Sequence, residues 1–254
     1  MEIAALGCWD TVKALGVRLP VLWRWAEKAT AFHTHELGPP VRRGFQALAL
    51  HETRAVFEPV SRTLYVADLH LGKAAVFRAR GLPVPQGTSA GTLLRLSRAI
   101  DRSGAQRLVV LGDFLHARES QSQGTLEALG AWRAAHPDLP CFVVEGNHDR
   151  HAGRVAAHWG FEQVAGDYVD GALRGVHDPA GASVATHWTL AGHVHPVVRL
   201  GSRHDTLRLP CFWLHERVLT LPSFGEFTGG FLIRPAPGDA LFAVGEQVVA
   251  LPVR

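Results

Sequence analysis

The sequence predicts an α/β fold, and three observations carry that reading. Short β-branched and aliphatic runs recur at Leu64-Tyr65-Val66-Ala67, Leu108-Val109-Val110-Leu111 and Phe142-Val143-Val144. Runs of this length read as buried parallel strands. From residue 45 onward such runs alternate with helix-length segments, and a strand-rich remainder follows, joined by Gly/Pro turns. Each run also ends in polar side chains: Asp68-Leu69-His70, Gly112-Asp113 and, through Glu145, Gly146-Asn147-His148-Asp149. In open α/β sheets, ligands gather in the crevice beyond the carboxyl ends of strands.

The elements are expected in the following order. Residues 1–44 look unlike the rest: Val21–Ala26 suits a short helix, and Gly38-Pro39-Pro40 breaks the chain. This segment is either an appendage or an over-extended gene start, leaving 45–254 as the main domain. Strands are expected at 45–50, 54–58 and 63–67, then a short helix over Gly72–Arg80 and a breaker at Gly81-Leu82-Pro83-Val84-Pro85. Thr88 or Ser89 is expected to cap a helix reaching Ile100. A strand at 107–111, a helix near 125–135 stopped by His136-Pro137, a strand at 141–144 and a helix near 151–159 come next. The remaining strands are placed at about 162–164, 173–177, 184–190, 207–214, 217–221 and 241–250.

Composition bounds the function. A chain of 254 residues, 47% hydrophobic and 19% charged, makes about one large domain able to bury a substantial core. Three cysteines (Cys8, Cys141 and Cys211) with no C-x-x-C spacing suggest neither a disulfide framework nor a thiolate zinc knuckle, which fits a cytoplasmic protein. No run reaches membrane-spanning length, and no signal-peptide pattern opens the chain. The net charge of +3 is modest, although lysine occurs only at Lys13, Lys28 and Lys73. Charge alone does not establish a nucleic-acid partner.

A fourth stretch, Leu190-Ala191-Gly192-His193-Val194-His195, adds two histidines to the strand-end donors, and His177 stands alone at the end of another run. Mixed carboxylate, imidazole and amide donors suit manganese, iron or zinc better than magnesium or calcium. The ordered blocks D-x-H, G-D, G-N-H-D, H and G-H-x-H resemble those of the calcineurin-like metallophosphoesterases. That resemblance implies a four-layer αββα sandwich and two divalent metal ions, manganese first, with iron or zinc as alternatives. It implies that Asp68, His70 and His195 hold one metal, that Asn147, His177 and His193 hold the other, and that Asp113 bridges them. It further implies in-line attack by a metal-bridging hydroxide. His148 is then the catalytic acid or charge-stabilising group, with Asp149 orienting it. His187 rivals His177, which is favoured because it closes a strand and precedes a Pro turn.

A narrower resemblance is to the bacterial ligase-associated DNA damage response endonucleases. It covers about residues 45–235 through Asp68–Lys73, Gly81–Thr88, Gly112–His116, Gly146–Arg150, Leu190–Pro196, Leu207–Phe212 and Leu221–Gly230. It implies a manganese-dependent phosphodiesterase cutting single-stranded DNA, encoded beside a DNA ligase and a helicase. His116, Lys73, Arg78, Arg80, Arg118 and Arg150 are the expected substrate contacts. No membrane partner is expected, and a homodimer is left open. Rival readings are a small-molecule phosphodiesterase or phosphatase acting on a cyclic nucleotide or dinucleotide, and a non-catalytic scaffold. The scaffold reading sits badly with retention of His148 and all seven ligand positions.

Overall fold

The structure is a computed structural model that describes residues 6–9, 44–47, 54–153, 159–171, 173–181, 187–201 and 206–252. Its first sheet has seven strands in sequence order. They are β1 (Leu6–Trp9), β2 (Gly44–Ala47), β3 (Val56–Glu58), β4 (Thr63–Val66), β5 (Arg107–Leu111), β6 (Cys141–Val144) and β7 (Phe161–Val164). β4 to β7 are parallel, and β3 is antiparallel to both its neighbours. The parallel connections are made by α1 (Lys73–Ala79), α2 (Thr88–Ser103), α3 (Gln123–Ala135) and the one-turn α4 (Asp149–Ala152).

The second sheet contains β8 (Tyr168–Asp170), β9 (Leu173–Val176), β10 (Trp188–Ala191), β11 (Pro196–Gly201), β12 (Thr206–His215), β13 (Val218–Thr220) and β14 (Phe231–Leu232). β15 (Ala240–Val244) pairs with β12 and with β16 (Val248–Leu251). Alternation along the strands divides the core between layers. Leu64, Val66, Leu108 and Val110 face the helix layer and pack with Leu93, Leu96, Leu129 and Trp132. Tyr65, Ala67, Val109 and Leu111 face the other way and meet Leu173, Leu190, Phe212 and Leu221 of the second sheet. A third cluster, with Val198, Cys211, Leu241 and Ala243, uses the opposite side of β12 and β15. Truncating one of these fully buried leucines to alanine costs about 2–5 kcal/mol.

α2 buries Thr92, Leu93, Leu96, Ala99 and Ile100, an i, i+3, i+4, i+7 stripe against the first sheet. Its expected hydroxyl cap is absent. Gly87 occupies the cap position at φ +83°, and the Ser89 hydroxyl instead accepts the Gly72 N–H at 2.9 Å. The N-terminus is thereby traded for a tie between α2 and the loop after β4. The run 241–250 is a hairpin, β15–β16, turned at Gly245, whose N–H donates to Gln247 O. The helix expected at 151–159 starts earlier, at Asp149, and ends at Gly153 with φ +90°; residues 154–158 lie outside the described set. So does the helix expected at Val21–Ala26. Among the described residues, no helix is long and apolar enough to cross a membrane.

Candidate metal centre

The carboxyl ends of β4, β5, β6, β9 and β10 converge on one rim. Backbone bonds knit the loops leaving them: Asp68 N–H to Gly112 O (3.2 Å), His70 N–H to Asp113 O (2.8 Å) and Gly192 N–H to His177 O (3.0 Å). Left-handed backbone concentrates there. Among the described non-glycine residues, Asp68 (φ +54°), His70 (+43°), Asp113 (+48°), His193 (+68°) and His195 (+51°) adopt it, with only Arg62 and Glu216 elsewhere. Each such residue costs on the order of 1–3 kcal/mol and persists where surrounding structure holds it for function.

The donors form two groups around Asp113. On one side, His70 Nε2 and His195 Nε2 lie 3.3 Å apart, His195 Nε2 is 3.4 Å from Asp68 Oδ2, and Asp113 Oδ2 is 3.6 Å from His70 Nε2. On the other, Asn147 Oδ1 lies 2.8 Å from His177 Nε2 and 3.0 Å from His193 Nδ1, with the two nitrogens 3.1 Å apart. Asp113 Oδ1 faces this second group, 3.5 Å from His177 Nε2. One carboxylate therefore presents one oxygen to each group. A carboxylate so shared offsets repulsion between two dications.

These residues fit divalent ions. Asp68 Oδ1 is buried without a hydrogen-bond partner among the described residues, a cost that a cation relieves. Burial, then the neighbouring His195 and Lys73, press the His70 pKa far below its ordinary value, keeping the ring neutral as a ligand requires. The His177 tautomer is fixed from behind: its Nδ1–H donates to Leu111 O at 3.1 Å, which leaves Nε2 as the lone-pair donor, while His70 Nδ1 lies 3.3 Å from His116 Nδ1. Close packing also demands two glycines. A Cβ on Gly112 would strike the His177 ring, and one on Gly146 would strike the Asp113 backbone and carboxylate. Of the rival histidines, His177 is the one that reaches Asn147. His187 precedes β10 at its opposite end, about 13 Å of extended chain from the rim.

The His148 ring lies beside the first group, 5.0 Å from the His70 ring between centroids. The backbone N–H of His148 donates to Asp113 Oδ1 at 2.9 Å, and its Nε2 lies 3.9 Å from Asp113 Oδ2. The ring is not oriented by Asp149 as expected. Its Nδ1–H donates to His116 O at 2.7 Å, and the His148 and His116 rings stack with centroids 4.6 Å apart. Asp149 instead accepts N–H bonds from Leu115 (3.1 Å) and Gly146 (3.0 Å), bracing the loop after β5 against the loop after β6. Burial raises its pKa to about 6 against those two bonds. Burial and Lys73 lower the His116 pKa to about 4.

The expected substrate contacts divide. Lys73 is half-buried at the rim; burial lowers its pKa, while the carboxylates of Asp113 and Asp68 act to raise it. Arg80 and Arg118 are exposed, and the charge of Arg80 acts on His116. Arg78 is turned inward, donating to Pro85 O at 2.7 Å and Val84 O at 3.4 Å, where it staples the breaker loop onto α1. Arg150 lies 3.7 Å from Glu145. Sequence reasoning placed Ser223, Phe224 and Gly225 in a matching stretch but gave them no role: the Ser223 hydroxyl donates to Asp68 O at 2.8 Å, and the N–H groups of Phe224 and Gly225 reach Ala67 O and Asp68 O. The Pro222-Ser223-Phe224-Gly225 turn after β13 was the available signal.

A family model described as calcineurin-like phosphoesterase matches residues 61–223, which hold all seven donors and His148. The chain belongs to that family. As a calcineurin-like phosphoesterase it is a metal-dependent phosphodiesterase with the family's two-sheet α/β fold. Among solved structures it is similar to the Pseudomonas putida nuclease MPE, at 40% identity over 80% of this chain and 94% of that one, with a TM-score of 0.68. It is also distantly similar to Yfce, a phosphoesterase from E. coli, at 17% identity over 71% of this chain and 86% of that one, with a TM-score of 0.38. A model of the Tle1-like phospholipase effector catalytic domain of the T6SS matches residues 1–74, most of which lie outside the described set. No curated protein matches.

Proposed function

We propose that this phosphoesterase is a manganese-dependent endonuclease that cuts single-stranded DNA and works beside a DNA ligase and a helicase in repair. The observation that carries the nuclease reading is the 40% identity to a nuclease across 94% of that protein. In this reading Asp68, His70 and His195 hold one ion, Asn147, His177 and His193 hold the other, and Asp113 holds both. Divalent ions bound there supply Lewis acidity toward phosphoryl oxygens and an activated water at neutral pH. Neutral imidazoles and one neutral amide among the donors leave that acidity largely uncancelled, and the mixed donor set favours manganese.

The chain's own groups then position the substrate and move the proton. His148, held at Nδ1 by the His116 carbonyl, places Nε2 3.9 Å from Asp113 Oδ2. A protonated Nε2 there hydrogen-bonds a phosphoryl oxygen and hands its proton to the leaving oxygen. Asp149 supports this step by fixing the loop that carries His148. Lys73, Arg80 and Arg118 attract the phosphate backbone without reading sequence.

The test is manganese-dependent cleavage measured in parallel on single-stranded DNA, duplex DNA, RNA and a cyclic nucleotide. Preferential cutting of single-stranded DNA, lost on chelation and restored by manganese, is expected. Preference for the cyclic nucleotide would replace the endonuclease reading with a small-molecule one.

A further inference from the structure

We propose that Phe77 and Phe227 form a platform on which an unpaired nucleobase next to the scissile phosphate stacks; this deepens the nuclease reading above and rests on it. The observation is a continuous series of rings leading out of the metal centre. The His70 ring lies 5.2 Å from His116, His116 lies 6.3 Å from Phe77, and Phe77 meets Phe227 edge-on at 5.5 Å. Phe77 is half-buried on α1, and Phe227 at the outer end is 38% exposed.

The exposure of Phe227 is built in rather than incidental. Its turn is tied to the loop bearing Asp68 by the Ser223 hydroxyl and by the N–H groups of Phe224 and Gly225. The turn is closed on itself by Thr228 Oγ1 donating to Gly225 O at 2.8 Å, and tied to α2 by Glu226 N–H donating to Thr92 Oγ1 at 3.2 Å. Phe224 turns into the core, fully buried beside the guanidinium of Arg95, 4.7 Å from its ring centroid. Phe227, three residues on, keeps its outer edge in solvent. A rigid turn thus holds an apolar ring at the edge of a site whose neighbours, Lys73 and Arg80, are cationic.

That combination matches a nucleotide chain, in which each anionic phosphate is followed by a base with an apolar π-face. Aromatic side chains beside a basic track bind single strands by stacking, tolerant of sequence because every base has such a face. In a duplex these faces are covered by neighbouring pairs, so exposing one costs unstacking. The platform therefore supplies a physical cause for single-strand preference that the metal donors, which see only phosphate, do not.

The experiment uses the manganese-loaded full chain and a single-stranded oligonucleotide, intact or with one abasic site walked along it. Steady-state kcat/KM is measured for each cleaved position in wild type, Phe227→Leu and Phe227→Tyr. Wild type is expected to disfavour an abasic site at one position flanking the cut by on the order of tenfold, the scale of losing one stacked base. Phe227→Leu, which keeps an apolar side chain, should erase that discrimination, and Phe227→Tyr should keep it. Equal discrimination in wild type and Phe227→Leu overturns the platform. So does its absence in wild type, or an equal loss on intact and abasic strands that leaves the ratio unchanged. A wild type that hydrolyses a small diester but cuts no single-stranded DNA overturns the nuclease reading itself, and the platform with it.

Discussion

The donor group of Asp68, His70 and His195 and the group of Asn147, His177 and His193 share Asp113 but are held in different ways. All three residues of the first lie on left-handed backbone, and Asp68 and His70 are buried, at 0% and 5% exposure. In the second only His193 is left-handed, and both Asn147 and His193 are exposed. On the proposed ligand assignment, an ion leaving the first group would strand the Asp68 carboxylate in the interior, which is costly. Of the second group His177 is buried, but Asn147 and His193 can be rehydrated in place. The difference implies that the first position is a pre-formed anchor, while the second is the more open to solvent.

The largest test removes what the groups share. Asp113→Ala should abolish manganese-dependent turnover and leave at most one ion per chain by metal analysis, because each group loses an oxygen and the ions lose their common counter-charge. Near-full activity in this variant would sink the bridging assignment. His148→Ala separates chemistry from metal holding: manganese content should match wild type while turnover falls roughly 10²–10⁴-fold. The loss should shrink on a nitrophenyl diester, whose leaving group needs little protonation. Loss of metal instead would place His148 among the ligands.

The asymmetry between the groups is read by stability. An ion at 100 times its Kd stabilises the fold by about 2.7 kcal/mol. The rise in Tm on adding manganese should be reduced in Asn147→Ala and reduced further in Asp68→Asn. Graded chelation of wild type should release the ions in two steps rather than one. Equal Tm responses in the two variants, or single-step release, would remove the distinction between anchor and open site. The smallest effect lies outside both groups. Neutralising Arg80 and Arg118 together should weaken single-stranded DNA binding and flatten its salt dependence by about 0.7 for each phosphate left unneutralised. Neutralising Arg78 and Arg150, which are engaged by Val84, Pro85 and Glu145, should flatten it less. The opposite order would restore those two arginines as DNA contacts.

Much of the fold was legible in the residues, and the pattern of success has a cause. β5 and β6 occupy the expected 107–111 and 141–144 because a buried parallel strand needs an unbroken aliphatic run, and such a run is a local signal. Strands such as β11, with its interrupted burial, and the two-residue β14 were not read, since they are strands only because a neighbour supplies hydrogen bonds. The helix cap was misread for a similar reason. Ser89 has the right chemistry for a cap, but Gly72, 17 residues earlier, competes for its hydroxyl.

The sequence by itself supplied the donor residues gathered at this rim, because donor atoms are properties of side chains and strand ends are marked by the runs that precede them. Asp68, His70, Asp113, Asn147, His177, His193 and His195 could all be named without coordinates. Only the tertiary structure decided which oxygen of Asp113 faces which group, and that a backbone carbonyl rather than Asp149 aims His148. It likewise turned Arg78 inward and brought Phe227 beside Phe77 across 150 residues of chain. Orientation, burial and competition for hydrogen-bond partners depend on residues distant in sequence, and no local pattern encodes them.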